Sequence, residues 1–136
     1  MREKPPTGHN AKSVVKRIFE TDKRIQFCAL VDSRGKIESG GMRPGVQSLE
    51  PSDETHRIVA RSWLRRQISA ADDIYLGSVS WVIIRRKKVL QITFPLSKNR
   101  QLQIAAAPSY PISKLPALTR FVSSLGLLSQ DQEQHR

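Results

Sequence analysis

The order of elements legible in this chain, α-β-β-α-β-β-β-α, predicts an α+β fold: one five-stranded antiparallel sheet with helices packed on it. Three observations carry that prediction. Three segments space their apolar residues as helices do. Strand-like segments alternate or run apolar over six to eight residues. Tight turns at Asp32-Ser33-Arg34-Gly35, 85–88 and 97–100 join neighbouring strands into hairpins.

The elements follow in order. From Asn10 to Glu20, Ala11, Val14, Val15, Ile18 and Phe19 recur at helical spacing, with Asn10 placed to cap the helix. Residues 24–31 alternate, with Ile25, Phe27, Ala29 and Val31 expected on one face and Gln26, Cys28 and Leu30 on the other. Asp32 and Gly35 supply turn chemistry, an acceptor for nearby amides and a residue free to take positive φ. Lys36 to Gly40 returns as a short strand, and 41–50 reads as a loop. Pro51-Ser52-Asp53-Glu54 starts a second helix, with Ser52 as the expected cap and two acids over the positive end of its dipole. It runs to about Ala70, with Ala60, Leu64 and Ile68 expected inward and Trp63 beside them.

Gly77–Ile84 (GSVSWVII) is uncharged and reads as a strand at the sheet edge. In Val89–Leu96, Leu90, Ile92, Phe94 and Leu96 share a face. In 101–107, Leu102, Ile104 and Ala106 do the same. Ser113 is placed to cap a last helix carrying Leu115, Leu118, Phe121, Val122 and Leu125. Pro116 falls in its tolerant first turn, and Gly126 ends it. The expected organisation is a disordered tail over 1–9, one domain over 10–128 and a polar tail over 129–136.

The 136 residues carry 23 Lys and Arg against 12 Asp and Glu, a net charge of +11. Such a surface suits polyanions: nucleic acid, acidic protein or anionic lipid. The single cysteine, Cys28, excludes an intramolecular disulfide and a cysteine metal cluster, which fits a reducing, cytoplasmic setting. MREKPPTGHN holds no apolar stretch, so no signal peptide is expected. No run approaches the roughly 20 apolar residues of a membrane span.

Arg24-Ile25-Gln26-Phe27, Val31-Asp32, Gly35-Lys36 and Gly40-Gly41-Met42-Arg43 together resemble small archaeal roadblock-like proteins of uncharacterised function. That group reads "IRF-aliphatic", then a "D-x-x-G-K" hairpin, then "GG-aromatic/Met-R". Lys87-Lys88-Val89 to Phe94-Pro95-Leu96 resembles its "K-V-K-R-x-T-I-P" strand, except that Leu90-Gln91 stands where the group has a basic pair. The resemblance spans about residues 12–125. It implies the roadblock (dynein light-chain) fold, related to profilin-like and longin domains. It also implies a non-catalytic dimer that serves as a platform for small GTPases, motors or regulatory complexes.

Candidate sites divide into two groups. The first is basic. Gly40 to Gly45 reads either as a strand exit or as an anion-holding loop with Arg43 as its side chain; it has no GKS or GKT and is no nucleotide P-loop. Arg57, Arg61 and Arg65 form an i, i+4, i+8 stripe, with Arg66 nearby, read as a solvated face or as a docking face for phosphates and carboxylates. Arg85, Arg86, Lys87 and Lys88 crowd one hairpin. Between Ile74 and Gln130 eight Lys and Arg occur without a single Asp or Glu, so this region is either merely charged or a phosphate-tracking surface. The second group is the uncharged edge strand. It demands a cover, and pairing with a two-fold mate through Ser78, Ser80, Trp81, Val82 and Ile84 would supply one.

No catalytic residue, metal ligand set or cofactor motif is legible. His56 has no partner at metal spacing, and Cys28 has no evident base and reads as a buried small residue. The expected function is a non-enzymatic, homodimeric binding platform for an acidic protein partner, with a small GTPase implied only by the resemblance. The alternative is DNA or RNA binding through the helix stripe and the 85–88 hairpin. A ligand sensor is a third class, implied by the profilin-like relation, and no pocket for it is legible.

Overall fold

The computed structural model describes residues 11–126. The expected tails and the Asn10 cap lie outside those residues. Helix α1 (Ala11–Thr21) leads into strands β1 (Ile25–Val31) and β2 (Ile37–Met42). Helix α2 (Ser52–Ser69) follows and continues through a 3-10 turn at 70–72 into the short helix α3 (Asp73–Leu76). Strands β3 (Val82–Arg85), β4 (Leu90–Pro95) and β5 (Gln101–Ala106) complete the sheet, and α4 (Leu115–Ser124) closes the fold. The strand order is β2-β1-β5-β4-β3, with every neighbouring pair antiparallel.

The sheet separates two unlike layers. On one face α1 and α4 bury a continuous apolar core: Val14 and Ile18 from α1, Leu118 and Val122 from α4, and the expected sets of β4 and β5. On the other face α2 covers a much smaller cluster of Phe27, Ala29, Val31 and Val59, with Trp63 and Met42 partly buried beside it.

β1 departs from simple alternation. Its register against β5 slips between Ile25 and Phe27, so Gln26 is bulged. A bulge of one residue reverses the facing of everything before it. Ile25 therefore joins Cys28 and Leu30 in the α1/α4 core, while Phe27, Ala29 and Val31 face α2.

The turn after β1 is built as its residues demand. Asp32 Oδ1 accepts from the amides of Arg34 (2.8 Å) and Lys36 (3.1 Å). Those bonds to the charged form hold the Asp32 carboxyl below its ordinary range. Gly35 takes φ +83°, and a Cβ there would press on the Trp63 ring at 3.1 Å. Gly40 is constrained further: at φ +103°, a Cβ would lie 2.2 Å from the Cys28 carbonyl oxygen across the β1–β2 pair.

Three expectations about α2 and its neighbours are corrected. The cap position belongs to Pro51 and not Ser52, and no side chain caps the helix; the Glu54 amide donates to the Pro51 carbonyl instead. Leu64 and Ile68 point to solvent, at 50% and 75% exposure, and Ala60 is only half-buried. The buried residues of α2 are Val59 and Ser62. The edge strand is shorter than GSVSWVII: residues 77–81 lie outside any strand, and Gly77 (φ +85°) ends α3. At α4, Lys114 occupies the cap position expected of Ser113, after a 3-10 turn over 112–114.

Candidate functional site

The two basic groups that are separate in sequence meet in space. A cleft of about 470 Å³ opens under the N-terminal half of α2, over the sheet end where β1 and β4 begin and β2 and β5 finish. Phe27, Met42 and Ala105 on the sheet and Val59 on α2 give it apolar surface, beside the side-chain amides of Gln26, Gln91 and Gln103. Arg61 and Arg65 reach it from α2, and Arg86 and Lys88 from the β3–β4 hairpin. Arg86 is aimed by a bond from its Nε to Gln91 Oε1 at 2.8 Å. Among the described residues Glu50 is the one carboxylate in the lining, and it accepts from the Thr55 hydroxyl at 2.7 Å. Its size and mixed lining are those of a small-molecule cleft.

The remaining basic residues are placed otherwise. Arg57 is answered within its own helix, by Glu54 at 2.6 Å and Asp53 at 3.8 Å. Arg85 and Lys87, alternating with Arg86 and Lys88, do not line the cleft; Arg85 reaches the Pro108 carbonyl at 3.4 Å. Arg66 donates to the Arg100 and Leu96 carbonyls of the β4–β5 turn, and its partial burial lowers its pKa. The region between 74 and 130 is also less bare than its sequence implies. Arg100 pairs with Glu38 at 3.2 Å, and Lys114 pairs with Asp22.

Arg43 does not line the cleft. Its guanidinium turns inward and donates to the carbonyls of Phe19 (2.6 Å), Ile25 (2.7 Å) and Asp22 (2.8 Å), while lying over the Phe19 ring at 4.9 Å. A cation over the C-terminal carbonyls of α1 satisfies acceptors that the helix itself leaves open. Arg43 is therefore a clamp between α1 and β1. Beside it, buried Asp22 takes three bonds from Arg24 and one from Lys114, which hold its carboxyl far below the ordinary range. Both clamps were hidden from sequence reading because their partners are backbone atoms or lie 92 residues away.

A second surface is apolar. Arg57, Leu64 and Ile68 follow at i, i+7 and i+11 on α2, one stripe facing away from the sheet. Continuing along the chain, Ile74, Tyr75 and Leu76 of α3 are each more than four-fifths exposed, and Trp81 and Val82 are 40% exposed. They lead into β3, which ends the sheet. Of the expected edge residues, Val82 and Ile84 lie in that strand, Ile84 half-buried, while Ser78, Ser80 and Trp81 precede it. The large apolar groups of α2 and α3 escaped the sequence reading, which placed Leu64 and Ile68 in the core.

Among the described residues no three His, Cys, Asp or Glu side chains cluster to hold a metal ion. Cys28 is fully buried in the α1/α4 core, and burial pushes its thiol pKa far up. Among the described residues no helix is long and apolar enough to cross a membrane.

No protein-family model matches the sequence, and no curated protein matches it either. Solved structures do. The gliding protein MglB of Thermus thermophilus superposes with a TM-score of 0.69 at 13% identity, over 98% of this chain and 95% of that one. The Myxococcus xanthus MglB gives 0.68 at 11% identity, over 88% and 93%. A roadblock/LC7 domain from Streptomyces avermitilis gives 0.60 at 13%, over 83% and 94%. The fold is the roadblock/LC7 fold. At these identities the likeness carries architecture alone.

Proposed function

We propose that the chain is a non-enzymatic, homodimeric roadblock-type module that presents a basic face to an acidic protein partner. The observation that carries this reading is the β3 edge, which no strand pairs among the described residues, preceded by the exposed Leu64, Ile68, Ile74, Tyr75 and Leu76. An open strand edge beside large exposed apolar side chains is a surface that needs a cover. A two-fold mate covers both with one operation. The basic residues do not obstruct the pairing: Arg57 is neutralised by its own helix, and Arg65 turns to the cleft. One structural neighbour is described as MglB with a tetrameric arrangement, so this architecture supports assembly. A small GTPase is the partner that the roadblock resemblance offers.

The test is the mass in solution by light scattering. The expected result is a species of about twice the 15.4 kDa chain, and a monomer for Trp81→Asp and Val82→Asp, because an unpaired carboxylate in an apolar seam is not tolerated. A wild-type monomer across the accessible concentration range contradicts the reading. Nucleic-acid binding is the competing use of the same cations. It predicts an affinity for generic DNA or RNA that falls steeply with salt and collapses when 85–88 become Ser.

A further inference from the structure

We infer that the cleft beneath α2 is a binding site for a small amphipathic anion: one acidic head group on an apolar body. Three features of the cleft converge on that chemistry. The first is charge. Arg61, Arg65, Arg86 and Lys88 line one cavity with Glu50, which already accepts from Thr55, and Arg61 is answered by Glu54 at 3.8 Å. Among the described residues Arg65, Arg86 and Lys88 have no acidic partner. Four like charges around one concavity repel, and an anion among them reverses the sign of that interaction.

The second is the apolar lining. Phe27, Met42 and Ala105 of the sheet and Val59 of α2 present apolar surface beside the amides of Gln26, Gln91 and Gln103, so the lining offers both an apolar body and a polar head group a place. A bare phosphate or a polyanionic strand makes no use of that apolar surface. An acyl or aryl body does, by removing it from water. The third is preorganisation. Gln91 holds the Arg86 guanidinium by its Nε, leaving the terminal nitrogens, the bidentate fork, uncommitted. The cavity volume matches a ligand of small-molecule size and is too confined for a duplex or a folded domain.

This site is separable from the proposed seam. None of Leu64, Ile68, Ile74, Tyr75, Leu76, Trp81 or Val82 lines the cleft.

The experiment is a calorimetric titration of the full chain with three probes: octanoate, 1-octanol and inorganic phosphate. A second set repeats the octanoate titration on Arg65→Gln/Arg86→Gln, which removes exposed charge without touching the core, on Ala105→Phe, which fills the floor, and on the Val82→Asp seam variant. The site requires saturable octanoate binding at one per chain. Each half-probe should bind at least about tenfold more weakly, as should both cleft variants, since tenfold corresponds to losing one modest interaction. Val82→Asp should bind as wild type does. Octanoate that fails to saturate in the millimolar range overturns the inference. So does octanol binding as tightly as octanoate, or a double-glutamine variant that binds unchanged. Binding that appears only in Val82→Asp means that a mate occupies the cleft, and also overturns it. A wild-type chain that is monomeric and still binds octanoate would overturn the seam and leave the cleft standing.

Discussion

The two faces of the sheet are built by different rules. Under α1 and α4, side chains from every layer are apolar and fully buried, and Ile92, Phe94, Leu102 and Ile104 have no exposed surface at all. Under α2 the centre is polar. Ser62 Oγ donates to Gln103 Oε1 at 2.8 Å, Thr93 Oγ1 donates to the same oxygen at 2.7 Å, and Gln101 Nε2 donates to Ser62 at 3.1 Å. The cleft opens beside this network. A dense apolar layer gives stability without a place to bind. A thin, hydrogen-bonded layer gives less stability and leaves room for a site. The fold thus rests on one face, and the cleft opens on the other.

That contrast predicts a hierarchy of damage. The largest loss belongs to the apolar face: Phe94→Ala should cost about 3–5 kcal/mol in urea denaturation. Val59→Ala under α2 should cost no more than about 1–2 kcal/mol, less than the same deletion at the buried Val122 of α4, because it borders an open cleft that solvent can fill. Equal losses would erase the distinction between the faces. Gly40→Ala should come next, at about 2 kcal/mol or more, since its Cβ meets a backbone carbonyl that cannot retreat and its φ is strained. Gly45→Ala, with φ +84° and nothing within 4 Å, isolates the strain from the clash and should cost less.

Arg43→Lys tests the clamp. It keeps the charge and loses the fork, and should cost about 1.5–3 kcal/mol through the orphaned carbonyls. An unchanged urea midpoint would return Arg43 to the surface. A smaller, pH-dependent effect belongs to Asp22. Its folded carboxyl titrates below its unfolded one, so its contribution is full above about pH 5 and fades as pH falls through and below the ordinary carboxylate range. Stability measured from pH 6 down to pH 2 should fall less steeply in Asp22→Asn than in the wild type. The smallest effect is chemical silence at Cys28: a thiol reagent should leave it unmodified in the native state and label it at the rate of unfolding.

Sequence periodicity revealed the apolar face almost completely. β4 and β5 alternate cleanly because their inner sides are uniformly apolar. It failed on the other face for physical reasons. α2 buries Ser62 and exposes Leu64 and Ile68, the reverse of what hydrophobicity assigns, because Ser62 answers Gln101, Gln103 and Thr93 on the sheet. The bulge at Gln26 moved Ile25 across the sheet, and nothing local marks it. The basic residues were visible as two clusters, but the cleft that joins Arg61 to Arg86 exists only once α2 lies over the hairpin. Arg43 was visible as a residue of interest, yet its partners are carbonyls, which no side-chain pattern displays.

The central claim, that β3 is covered by a second copy, is tested most directly at two amides. The Arg86 amide donates to Val89 across the hairpin. With a period of two, the Val82 and Ile84 amides also face β4, and those of Ile83 and Arg85 face the bare edge. Hydrogen exchange followed by NMR should find Ile83 and Arg85 protected to a degree that rises with protein concentration, and unprotected in Val82→Asp. Fast exchange at both positions at every concentration would contradict the account.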